Sequence, residues 1–161
     1  YAKQIGNFNV KPAPTVVVTG IGSSLPIGIK PWALYEDRVV TSFSALETVF
    51  NAGKNSPDYV MYDLETRDSI YSLFKLYVVE NYNLPTLNEI DALRKFKVEY
   101  FISGSYEQLP EAAELTLSLY KINEKDVEKI QTVTDILNED KLDEMNKIFT
   151  KLTKKLLNIK E

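Results

Sequence analysis

Two glycine-containing segments have residue types that could bind phosphate. Gly20-Ile-Gly22 follows a valine-rich run, where glycines would let the backbone approach a phosphate at a helix start. The third glycine of a dinucleotide fingerprint is missing, because position 25 is leucine and Pro26 follows it. Gly53-Lys-Asn-Ser56 lacks the hydroxyl residue that directly follows the lysine of a P-loop, and it is typical of a helix end and turn. We therefore predict no nucleotide site.

Acidic residues offer the next candidate chemistry. Asp63, Glu65 and Asp68 lie close together and could bind a hard cation, but the glycine and distal glutamate of an EF-hand loop are absent. We expect them to keep a loop soluble and Asp68 to cap a helix. The chain has no cysteine and no histidine, which excludes disulfides, a thiol nucleophile, histidine-ligated zinc and a Ser-His-Asp triad. The sequence therefore predicts no metal, no cofactor and no catalytic residues, and hence a protein that is not an enzyme.

Composition indicates one compact domain. The 161 residues are 44% apolar, and the net charge of −4 is spread along the chain, so we expect no nucleic-acid partner. The apolar runs are far shorter than the roughly 20 residues that span a bilayer. The chain begins at Tyr1 rather than Met, which suggests that an upstream segment has been removed. Our expectation is a polar lead-in over residues 1–14, a single domain over residues 15–161, and membrane contact only through an upstream anchor.

Periodicity predicts the elements that position these residues. The predicted order is strand, helix, strand, two helices, a hairpin, a weaker strand and a last helix. The strands are expected at Thr15–Thr19, Tyr59–Tyr62, Val98–Tyr106, Glu114–Ile122 and Val127–Val133, with a loop at Gly20–Pro31. Within that order, the first helix follows the loop from about Trp32, and a possible edge strand includes Phe8 and Val10.

Apolar stripes define the helices. The first helix is predicted to bury Val39, Phe43, Leu46 and Phe50, and the second Ile70, Leu73, Phe74, Tyr77 and Val78. Thr86 and Glu89 form a capping box that begins a third helix with Ile90, Leu93 and Phe96. The last helix carries the stripe Leu142, Met145, Phe149, Leu152 and Leu156.

The hairpin separates two kinds of side chain. Leu115, Leu117 and Leu119 share one face of its second strand, and polar residues occupy the other. We expect Tyr100, Ile102 and Gly104 to face the core with these leucines, and Leu117 to be buried under helices. The mixed order of elements predicts an α+β fold, with a single mixed β-sheet, helices packed on it and an antiparallel C-terminal hairpin.

This hairpin resembles that of the TolB amino-terminal-like domains. The likeness rests on Val98-Glu-Tyr-Phe-Ile-Ser-Gly-Ser105 and the returning strand Leu115-Thr-Leu-Ser-Leu119, and it is clearest from Leu93 to Ile122. Similar domains occur in the LpoB and CsgG families of bacterial envelope lipoproteins. The resemblance implies a non-catalytic protein-interaction module, periplasmic or anchored to the outer membrane, whose partners are envelope proteins. Asn123-Glu-Lys-Asp126 replaces the Thr-Gly-Glu turn that is usual there.

The face opposite the leucines is our candidate partner-binding surface. It is small and polar, with an aromatic residue on each strand, a composition that suits a contact patch with aromatic anchors. Its predicted residues are Phe101, Ser103, Ser105, Thr116, Ser118 and Tyr120. The alternatives are that the C-terminal helix or another domain covers this face, and that the protein is a small sensor or accessory domain that binds a ligand in the loop Gly20–Pro31.

Overall fold

The described part of the protein folds around one five-stranded sheet. The structure, a computed structural model, describes residues 13–76 and 84–160. The strands are β1 (Thr15–Ser24), β2 (Val60–Met61), β3 (Tyr100–Gln108), β4 (Ala113–Ile122) and β5 (Val127–Leu137). The helices are α1 (Arg38–Gly53), α2 (Leu64–Leu73), α3 (Leu87–Lys95) and α4 (Leu142–Leu156), with a short 3-10 helix at Ala33–Tyr35. The predicted strand at Phe8 and Val10 lies outside the described residues.

The sheet is mixed. Its strand order is β2-β1-β3-β4-β5. β1 runs parallel to β2 and β3, and β4 is antiparallel to both β3 and β5. Helices pack on this sheet, so the predicted α+β class and the antiparallel hairpin are confirmed.

β1 is longer than predicted. We expected a strand over Thr15–Thr19 and a loop from Gly20, but β1 continues to Ser24 beside β3. The register shifts between Val18 and Gly20, which marks a bulge. Two glycines and two serines are weak strand formers, and it is the neighbouring β3 that supplies their hydrogen-bond partners. The loop therefore begins only at Leu25.

α1 buries a different side from the one we predicted. Leu46 is buried, but Val39 is 59% and Phe43 is 43% exposed. The buried side consists mainly of small residues, Ser42, Ala45, Ala52 and Gly53 with Leu46 and Val49. Ser42 Oγ donates to the carbonyl of Ile21 over 2.8 Å, so the helix lies close against β1. A stripe counted from large apolar residues missed this side. The helix also begins at Arg38 rather than near Trp32.

α2 is capped by Asp63 rather than Asp68. The Asp63 carboxylate accepts from the amide of Thr66 over 2.8 Å. Hydrogen bonding to the Thr66 side chain and to this amide lowers the pKa of Asp63. Asp68 instead pairs with its neighbour Arg67. The helix ends at Leu73, and Tyr77 and Val78 of the predicted stripe lie outside the described residues. The capping box of α3 at Thr86 and Glu89 is confirmed.

One face of the sheet, face A, carries Leu115, Leu117 and Leu119 of β4. α1 and α4 pack on it and bury these leucines together with Met145, Phe149, Leu152 and Leu156. The burial of Leu117 is thus confirmed. Gly104 lies directly opposite Leu117, and a Cβ there would come within 2.6 Å of both Leu117 Cδ2 and the Thr116 carbonyl oxygen. Glycine is needed because the leucine occupies the space of its missing side chain.

Candidate protein-binding face

The six predicted contact residues lie on one face of the hairpin, which we call face B. Phe101 pairs with Tyr120, Ser103 with Ser118, and Ser105 with Thr116 across the β3–β4 ladder. Directly opposed residues point to the same side of a sheet, so the structure brings all six together. Their partner binding stays a prediction.

One end of face B is not a surface. Phe101 is 1% exposed and stacks on Tyr120 with ring centroids 4.7 Å apart and planes at 9°. Side chains of α2 and α3, including Tyr71 and Leu93, form a second core with Phe101 and Val17. The expectation that Phe101 is an exposed aromatic anchor is therefore wrong. Alternation predicted which side chains share the face, but it contained no information about the helices that cover it.

The other end of face B is lined by hydroxyl groups. Thr116 Oγ1 lies 3.3 Å from Thr134 Oγ1, and Ser118 Oγ lies 2.9 Å from Thr132 Oγ1. We call these four residues the hydroxyl ladder. Thr132 and Thr134 are exposed, Thr116 and Ser105 are half-buried, and Ser103 and Ser118 are buried. The open part of the site is thus Ser105 with Thr116, Thr132 and Thr134 of the ladder.

β5 supplies half of this ladder, and our sequence reasoning missed it. We predicted that the strand ends at Val133, but it continues to Leu137. Ile130, Thr132, Thr134 and Ile136 alternate with the residues that face the other way. This period of two was the available signal.

Charged residues border the open end. Glu107 and Glu114 are direct partners across the β3–β4 ladder, and both are half-buried. Like charges in this position repel each other. On the side towards Phe101, the Lys129 ammonium lies 5.7 Å from the centroid of the half-buried Tyr120 ring. The hydroxyl ladder therefore lies between an acidic edge and a tyrosine–lysine contact.

Arg67 supports the bulge of β1. Its guanidinium is buried and donates to the carbonyls of Val18 and Thr19 over 3.3 and 3.2 Å. It also donates to Asp68 Oδ1 over 2.8 Å. A bulge disrupts the ladder locally, and Arg67 supplies donors at that point. An Arg-Asp pair in a helix gives no sequence signal for such a role.

Gln108 orders the segment after β1. Its side-chain amide accepts from the amide of Trp32 over 2.8 Å and donates to the carbonyl of Lys30 over 2.6 Å. Asp140 accepts from the amides of Ala33 and Leu34 over 2.6 and 3.1 Å. Side chains from β3 and from the β5–α4 connection therefore hold the end of the loop that the ligand-binding alternative depends on and the segment that follows it.

Strongly perturbed titratable groups lie in the cores. Burial raises the pKa values of Tyr35, Tyr71 and Tyr106. Tyr35 Oη donates to the carbonyl of Tyr106 over 3.1 Å, and the two rings are 5.0 Å apart. Phenols with raised pKa values stay protonated at neutral pH, so they act here as packed side chains.

Acidic side chains have structural partners. Asp63 caps α2, Asp68 pairs with Arg67, and Asp135 accepts from Lys151. The described part of the chain contains no cluster of three His, Cys, Asp or Glu side chains placed to bind a metal ion. Nor does any helix within residues 13–76 and 84–160 have the length and apolar character needed to cross a membrane.

Comparison with known proteins gives matches in structure but not in sequence. No protein-family model and no curated protein matches the chain. The LpoB C-terminal domain from Escherichia coli superposes with a TM-score of 0.57 at 15% identity, covering 81% of this chain and 87% of that one. The same domain from Salmonella enterica gives 0.56 at 14%, covering 84% and 90%. Lipoprotein GNA1162 from Neisseria meningitidis gives 0.53 at 8%, covering 80% and 81%.

These likenesses show a shared fold. The resemblance drawn from the hairpin is confirmed at that level, because the LpoB C-terminal domains and the chain match over most of both lengths. Identities of 15% or less do not carry activity from one protein to another.

Proposed function

We propose that this protein is a non-catalytic protein-interaction module of the bacterial cell envelope. The observation that carries the proposal is the uneven covering of face B. Helices pack on its Phe101 end, while Thr116, Thr132 and Thr134 of the hydroxyl ladder stay accessible. The shared fold with the LpoB C-terminal domain and with a lipoprotein supports an envelope setting. The module lies in the periplasm or is anchored to the outer membrane through an upstream segment.

The contact surface is narrower than the six residues first predicted. Ser105, Thr116, Thr132 and Thr134 offer hydroxyl donors and acceptors on a rigid sheet, and the half-buried Tyr120 lies at its border. Phe101, Ser103 and Ser118 are buried, so they lie beside this surface and are not part of it. Rigid presentation reduces the conformational entropy that binding would otherwise cost.

The proposed partner presents a basic group at the acidic edge. Glu107 of β3 and Glu114 of β4 are direct cross-strand partners. A lysine or arginine from the binding partner would relieve the repulsion between them. Such a contact contributes specificity and association rate more than affinity.

The test introduces charge into the open end without touching either core. In a Thr116→Lys, Thr134→Lys variant, two ammonium groups would repel the basic partner group and would obstruct access to the hydroxyl ladder. A Val39→Lys, Phe43→Lys variant is the control, because it adds the same charge on the exposed side of α1. Both variants should keep the circular dichroism spectrum of the unmodified protein. Envelope extract of the source bacterium is passed over each immobilised protein, and captured proteins are quantified by mass spectrometry.

We expect the ladder variant to lose a partner that the α1 variant retains. Loss in the α1 variant alone would place the interface on Val39 and Phe43, which form an exposed apolar patch of the kind that also marks protein contacts. Equal capture by both variants and the unmodified protein would refute face B as the binding surface.

A further inference from the structure

β5 is a long strand at the edge of the sheet. It pairs only with β4 in the described sheet, so the backbone groups on its other side have no strand partner there. Eleven residues, Val127–Leu137, follow this edge, and most are exposed. Open edges of this length invite pairing with another chain unless they are blocked.

The sequence of this edge is close to a palindrome. Ile130-Gln-Thr-Val-Thr-Asp-Ile136 reads almost the same in both directions around Val133. Two identical strands that pair around a two-fold axis must present complementary residues at equal distances from that axis. A palindromic strand satisfies this condition when the axis passes between the two copies of its central residue.

We propose that two copies of this chain associate through β5. The strands pair antiparallel around a two-fold axis at Val133, which gives a continuous sheet of ten strands, five from each copy. A pairing of seven residues adds roughly six to eight backbone hydrogen bonds.

The side chains are complementary in this register. Ile130 and Ile136 are 45% and 39% exposed. Ile130 of each copy would cover Ile136 of the other copy. Thr132 would oppose Thr134 of the second copy, which extends the hydroxyl ladder across the interface. The Gln131 amide would oppose the Asp135 carboxylate and donate to it.

Asp135 has acceptor capacity for this contact. It accepts from the Lys151 ammonium and from the amide of Ile136, which together lower the pKa of Asp135. An ionised carboxylate offers about four lone-pair positions, so a further donor can be accommodated.

The bulge of β5 limits the length of the pairing. Gln131 pairs with Leu119 and Lys129 with Tyr120, so Ile130 is the extra residue. Bulges bend a strand and end its pairing, which places the boundary at one end of the palindrome.

The first experiment uses paired charges. Sedimentation velocity from low to high micromolar concentration should show a monomer–dimer equilibrium for the unmodified chain. Ile130→Lys with Ile136→Lys places like charges opposite each other twice and should raise the dimer dissociation constant at least about tenfold. Ile130→Lys with Ile136→Glu places opposite charges there and should restore most of the association. Ile27→Lys with Leu73→Lys is the control for net charge at exposed sites away from β5.

The second experiment tests the register. The chain has no cysteine, so introduced thiols report single contacts. An equal mixture of Thr132→Cys and Thr134→Cys proteins should form a disulfide-linked heterodimer under mild oxidation, because directly opposed residues have Cα atoms within about 6 Å. Each variant alone should cross-link far less.

A monomer at all concentrations would overturn the proposal. So would failure of the Lys/Glu variant to associate better than the Lys/Lys variant, or preferential cross-linking of either single variant with itself. A monomeric chain whose β5 variants lose capture of an envelope protein would assign this edge to a different partner.

Discussion

Face A is packed along β3 and β4, whereas face B is packed only at the end that carries Phe101. α1 and α4 cover face A, and Leu115, Leu117 and Leu119 are all buried there. On face B, α2 and α3 bury Phe101, while Thr132 and Thr134 stay exposed on the same surface. The contrast shows that alternation along a strand sorts side chains into two sets, and that helix placement then decides which of them reach solvent.

The largest expected effect tests whether the Phe101 end of face B is a true core. Phe101→Ala should lower the free energy of unfolding by about 3–5 kcal/mol, the range for emptying a buried phenylalanine site. Phe43→Ala is the matched control, because Phe43 is 43% exposed, and it should cost less than about 1 kcal/mol. Urea denaturation measures both. Similar losses of stability in the two variants would show that the Phe101 end of face B is not a core.

A neighbouring pair on β4 compares face A with the open end of face B. Leu117→Ala should cost about 2–5 kcal/mol, because it empties a buried site next to Gly104. Thr116→Ala should cost about 1 kcal/mol or less, since its hydroxyl contact is partly solvated. Equal urea midpoints would mean that the two faces of β4 are reversed.

A smaller effect concerns the helix that covers Phe101. Asp63→Ala should destabilise the protein by about 0.5–2 kcal/mol at neutral pH, because it removes the side-chain cap of α2. Asp58→Ala, in the preceding loop, is the control.

The same variant has a defined pH dependence. The pKa of Asp63 is lowered in the folded state, so its contribution is complete above the usual value of 3.8 and decreases as pH falls through the lower folded pKa. The difference in urea midpoint between the unmodified protein and Asp63→Ala should therefore shrink as the pH falls below 3.8. A difference that grows on acidification would contradict this assignment.

The smallest expected effect is a stabilisation. Lys97 follows α3 with φ of 64°, a left-handed conformation that glycine adopts without strain. Lys97→Gly should therefore raise the free energy of unfolding by a few tenths to about 1 kcal/mol. The melting temperature should rise slightly as a result. Lys54 ends α1 with φ of −63°, so Lys54→Gly should have the opposite sign. If both variants are destabilised, the end of α3 is held by contacts of the lysine side chain.

Much of the fold could be predicted because its signals are local. The capping box at Thr86 and Glu89 and the stripe from Met145 to Leu156 each lie within one helix. The alternation in β3 and β4 likewise predicted that Phe101 and Ser105 share a face with Tyr120 and Thr116. Hydrogen-bonding partners and periodicity within a segment determine these features, so residues close in sequence are enough to read them.

Other features were wrong or missed because they depend on distant neighbours. α1 turns small residues towards β1, β1 extends through Gly20 and Gly22 beside β3, and Arg67 reaches the bulge from another element. The burial of Phe101 likewise depends on α2 and α3.

The sequence by itself determined the element types, the strand alternation and the six residues that share face B. Only the tertiary structure decided which of the six are covered, and it added Thr132 and Thr134 from β5 to the candidate site. The physical reason is that side-chain direction follows from the local backbone, whereas burial depends on elements brought together from distant parts of the chain.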